Sequence, residues 1–106
     1  MSSNPEDLKL VTLANATKLR THSLAAAALR DSTGRTYVAI PVSVGAFTID
    51  ALMAVLVVAK ASQIDGIEAI VVAGEMPEEA SISSFRTEYP ESNLYWIPGE
   101  NELIPL

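Results

Sequence analysis

The side chains able to do chemistry are few in this chain. There is one histidine, His22, and no cysteine. A catalytic zinc needs three protein ligands and an open position, and imidazole or thiolate usually supplies them. One imidazole without any thiolate does not make that set. Asp50 and Glu78 could offer carboxylate oxygens, which suit Mg²⁺ better than zinc. The plainer reading makes Asp50 an acid at a helix start and Glu78 a solvated turn residue. His22 could act as a base, but no serine or acid stands near it at a telling spacing, and a loop histidine needs no chemical role. Ser81, Ser83 and Ser84 read as helix caps rather than as a nucleophile or a phosphorylation site. The acids Glu75, Glu78 and Glu79 read as a solvated loop. The missing cysteines also exclude a disulfide framework and a thiol nucleophile.

Composition narrows the classes further. A chain of 106 residues is expected to form one domain, residues 1–106. Apolar residues make up 49% of it, more than so small a domain buries by itself, so part of that surface is expected at a subunit interface. The net charge of −6 argues against binding nucleic acid, which needs a basic footprint, and against an anionic membrane surface. Met1 to Lys9 is polar and contains no apolar signal region. The longest apolar run, Ala51 to Ala59, is about half of what a membrane span requires. The expectation is a cytoplasmic protein without a cofactor.

The elements that must position these residues follow from local signals. Asn4-Pro5-Glu6-Asp7 reads as a capped helix start, and the helix is expected to reach about Arg20. Leu8, Val11 and Leu19 lean to one side of it, and Leu10, Leu13 and Ala14 to another. Leu24 to Leu29 and Thr36 to Val42 read as a hairpin around Asp31-Ser32-Thr33-Gly34-Arg35, with Pro41 marking an edge or an end. Thr48 to about Ser62 is expected to be a helix, with Thr48 as its cap and an apolar surface on all sides. Ile67 to Ala73 is a continuous apolar run, as in a strand covered on both faces. Glu78 to Glu88 reads as a weaker helix, Leu94 to Ile97 as a strand, and Glu102 to Ile104 as a short edge strand in the tail. Helices and strands alternating after an opening hairpin predict a mixed sheet with helices on both faces.

That order resembles the cytidine deaminase family, over about residues 7 to 97. Ala25-Ala26-Ala27-Ala28-Leu29 resembles the family's first strand, and Asp31 to Tyr37 its hairpin turn. Thr48-Ile49-Asp50-Ala51-Leu52-Met53-Ala54 is similar to the family stretch Thr-Ile-Cys-Ala-Glu-Arg-Ala. The resemblance implies an α/β three-layer sandwich with about four strands in a mixed sheet. It also implies where a zinc-activated water and its proton shuttle would stand. The first zinc ligand falls on Asp50, and the proton-shuttling Glu falls on Leu52. The cysteine pair falls on Pro77-Glu78-x-x-Ser81, so Glu78 and Ser81 occupy its positions. The residues that hold the ribose fall near Pro41 and Ser43, and the base-stacking Phe near Ser23.

None of these positions carries the family's chemistry. The expectation is therefore a non-catalytic relative that acts through homo-oligomerisation or a protein partner. Two alternatives keep the old pocket in use. It would bind a small molecule, nucleoside-like or apolar, or it would house an enzyme activity that needs no metal. Leu52 and Met53 would give such a pocket an apolar floor, although filled core is the simpler reading.

Overall fold

A computed structural model describes residues 4–99 and 102–106. Helix α1 spans Pro5–Thr21, and the Asn4 side chain accepts from the Glu6 N–H at its start. Strands β1 (Ala25–Asp31) and β2 (Thr36–Ala39) form the expected hairpin. A second hairpin follows, of β3 (Val42–Val44) and β4 (Phe47–Ile49). Helix α2 covers Ala51–Ala61, strand β5 Ile67–Gly74, helix α3 Glu79–Glu88, strand β6 Asn93–Ile97 and strand β7 Ile104–Pro105.

The main sheet has the order β2-β1-β5-β6-β7. Its β5–β6 pair is parallel and the other pairs are antiparallel, so the sheet is mixed. The C-terminal tail supplies its fifth strand. Every residue of β1 is buried, because successive side chains point to opposite faces and both faces are covered. On one face Ala28 joins Ala69, Val71, Ala73 and Ile97 beneath Leu10 and Ala14 of α1. On the other, Ala27 and Leu29 join Ile70 and Val72 beneath Leu52, Val55 and Phe85 of α2 and α3. The run of alanines keeps the sheet thin at β1, which lets helices approach from both sides. The result is the three-layer α/β/α sandwich.

Several boundaries differ from the sequence reading. The β2 strand stops at Ala39 rather than Val42. Pro41 has no N–H to give to a ladder, so the pairing ends before it. Val42 to Ile49 then folds on itself, with Gly45 at φ 60° in the turn. The second hairpin displaces the expected helix start. Thr48 pairs with Ser43 and shares a 3.3 Å hydroxyl contact with it, so Asp50, not Thr48, caps α2. Leu24 is 70% exposed and lies outside β1. The α2 helix is not buried on all sides, since Val57 and Val58 are exposed. On α1 the buried side is Asp7, Leu10, Ala14 and Thr17, while Leu8 and Leu19 stand exposed opposite it.

One buried polar cluster escaped the sequence reading. Arg30 donates from Nη2 to Asp7 at 2.8 Å and from Nε to Glu68 at 2.7 Å. In sequence Asp7 reads only as part of a capped helix start. Its side chain is in fact buried against Arg30 and fixes α1 to the sheet.

Candidate functional site

A cleft of about 580 Å³ opens where α2 and α3 begin. Its walls include Pro41, Thr48, Ile49, Asp50, Met76 and Glu78. The second hairpin positions Thr48 and Ile49, and the loop after β5 positions Met76 and Glu78.

Asp50 organises this cleft. Its Oδ1 accepts from the Met53 N–H at 2.9 Å, which caps α2. Its Oδ2 accepts from the Glu78 N–H at 2.9 Å, at the start of α3. Glu78 itself makes no side-chain cap on α3. One carboxylate thus lies against the positive ends of two helices, where backbone donors lack partners of their own. It ties the two starts together across 28 residues of chain.

The seven positions singled out by the sequence separate into two groups. Pro41, Asp50 and Glu78 meet at the cleft. Leu52 is fully buried in the core beneath α2. Ser81 is buried at 6% exposure and is not among the cleft walls. Ser23 lies in the turn between α1 and β1, where its hydroxyl is 2.8 Å from that of Thr21. Ser43 is exposed on the second hairpin. The sequence reading missed Thr48, Ile49 and Met76 as wall residues. A signal for the hairpin was present: Val42 and Val44 alternate with Ser43, Phe47 and Ile49 with Thr48, and Gly45 stands between the two runs.

The donor set does not fit zinc. Both oxygens of Asp50 are engaged by backbone N–H groups. Ser81 offers only a buried hydroxyl, and Glu75 and Glu78, which line the cleft, offer exposed carboxylates. His22 is exposed at the far end of α1, where it adopts a left-handed C-cap with φ 56°. Among the described residues no group of three His, Cys, Asp or Glu could hold a metal ion. Leu52 has no proton to transfer. Among the described residues, too, no helix is long and apolar enough to cross a membrane.

Comparison with known proteins agrees with this architecture. No curated protein matches the chain in sequence. A family model described as cytidine deaminase-like matches residues 3–95 of the 106, and the chain therefore belongs to the cytidine deaminase-like family.

Proposed function

We propose that this protein is a non-catalytic cytidine deaminase-like domain that works by assembling with itself or with a protein partner. The engagement of Asp50 carries the reading. Deamination by zinc needs a metal that lowers the pKa of a bound water and a group that carries its proton to the leaving ammonia. At the first of these positions the resemblance puts a carboxylate, a hard oxygen donor where zinc sites of this kind use Cys or His, and it is held in place by the N–H groups of two helix starts. At the second stands Leu52, sealed in the core. The exposed apolar side chains Val57, Val58, Leu8 and Leu19 support a role in contact.

The test is metal content and ammonia release from cytidine. Protein purified without chelators should hold no stoichiometric zinc and should release no ammonia above the uncatalysed rate. Stoichiometric zinc together with turnover would overturn the reading.

A second reading rests on the cleft itself. Its volume of about 580 Å³ falls within the size range of small-molecule sites. In that reading the domain binds a small ligand without transforming it. A metabolite retained through native purification would favour it over assembly.

A further inference from the structure

A second cleft, of about 550 Å³, lies across the sheet from the first and shares no wall residue with it. The first reaches Ala25 and Val72, which belong to the core beneath α2 and α3. The second reaches Ile97, which belongs to the core beneath α1. It opens beyond the carboxyl ends of β5 and β6, at Gly74 and Pro98. Those two strands are parallel, and the crevice beyond the ends of parallel strands is where open α/β sheets take their ligands. Helix α1 forms the other wall with Asn15, Lys18 and Leu19.

The buried side of α1 runs through Leu10 and Ala14, and Lys18 follows four residues on, where an apolar side chain would continue the stripe. Its stem lies against Gly74 instead, since a Cβ added there would stand 2.7 Å from Lys18 Cε. Packing the stem in this way holds the ammonium at the cleft. Among the described residues that ammonium makes no ion pair and no hydrogen bond, and the Asn15 side chain makes no hydrogen bond either. The nearby carbonyls are already engaged. Gly74 accepts from Trp96 Nε1 at 2.8 Å, and Lys18 and Leu19 accept from the N–H groups of Ser23 and His22. No acid lines the cleft among the described residues, in a chain with 13 acids against 7 basic residues.

We propose that this cleft binds a small carboxylic acid, with the carboxylate on Lys18 and Asn15 and the apolar body along Leu19, Ile97 and Pro98. The proposal is independent of the assembly reading and of the first cleft. One cation and one amide match the single charge and two oxygens of a carboxylate. A phosphate dianion would leave charge and acceptor oxygens unmatched here. The net charge of −6 repels an anion from most of the surface, so a free lysine without a neighbouring acid selects the place.

Titration of hexanoate into isotope-labelled protein, followed by amide proton–nitrogen correlation spectra, tests this. Trp96, the one tryptophan of the chain, reports through the indole N–H that it gives to Gly74. Hexanoate should give saturable shifts at Lys18, Gly74 and the Trp96 indole, and none at Met53 or Glu78 beside the first cleft. Hexanamide has the same body without the charge, and should bind at least about tenfold more weakly. Lys18→Met keeps most of the stem without the charge, and should weaken hexanoate by a similar factor. Asn15→Leu should weaken it about fivefold. Circular dichroism checks that both variants fold, and the comparison of hexanoate with hexanamide needs no variant. Hexanoate without saturable shifts, shifts centred on Met53 and Glu78, or equal affinity for hexanoate and hexanamide would overturn the site. So would unchanged affinity in folded Lys18→Met or Asn15→Leu. Inorganic phosphate that binds as tightly as hexanoate would overturn the choice of a carboxylate.

Discussion

Replacing Asp50 by alanine removes two hydrogen bonds at once. The first is the α2 cap to the Met53 N–H, at 2.9 Å. Losing a carboxylate cap costs about 1 kcal/mol. The second is the bond to the Glu78 N–H, also 2.9 Å, with a charged acceptor. Hydrogen bonds to charged groups are worth about 1.5–3 kcal/mol, but this one is exposed, and water recovers part of it. A total near 2 kcal/mol follows, or roughly 10 °C in Tm for a domain of this size. Asp50→Asn separates the two contributions. Its one amide oxygen still caps α2, but its NH₂ group faces the Glu78 N–H, donor against donor. The asparagine variant should therefore lose about half as much as the alanine variant. Urea denaturation followed by circular dichroism reads both. An alanine cost below about 0.5 kcal/mol, typical of an unremarkable surface site, would refute the claim that this carboxylate binds the two helices together.

Other perturbations probe the rest of the architecture. Leu52→Glu supplies the residue type that the resemblance implies at this position but places a charge where the side chain is fully buried. It should destabilise by about 3–5 kcal/mol in urea melts and gain no cytidine turnover. Gly74→Ala should cost more than about 2 kcal/mol by thermal melting, because Gly74 has φ +94° and an added Cβ would meet the Leu24 carbonyl oxygen. At Asp31 burial opposes the charge, yet the Thr33 hydroxyl and the backbone N–H groups of Arg35 and Thr33 outweigh it and hold the carboxyl below its ordinary 3.8. A lowered folded pKa means that the contribution of Asp31 is present above 3.8 and is lost as pH falls through the lower folded value. Asp31→Asn should accordingly flatten the acid limb of the stability curve, measured as the urea midpoint against pH.

Local signals decided how much could be read from the sequence. Asn4-Pro5 at the start of α1 and the apolar run of β5 are signals of that kind, and both elements lie where expected. The buried alanines of β1 follow from their small size and the cover on both faces. What escaped depends on partners far away in the chain. Asp7 looks the same in sequence whether it faces water or Arg30, and only the packing of α1 on β1 and β5 decides. Asp50 was legible as a helix-start acid, but its bond to the Glu78 N–H depends on a loop 28 residues on. Val57 and Val58 look buried because they are apolar, and their exposure shows only once the sheet has claimed the other side of α2. The second hairpin is a different case, because its alternation was in the sequence. The capping signal of Thr48 competed with it, and cross-strand pairing prevailed.

The central claim is that a carboxylate engaged by two helix starts stands at the position where the resemblance implies the first zinc ligand. Calorimetric titration of zinc into the purified protein tests this most directly, with Asp50→Ala as the companion. The account predicts the same weak heat from both proteins, because no zinc site depends on Asp50. Stoichiometric, tight binding to the wild type that disappears in Asp50→Ala would contradict it.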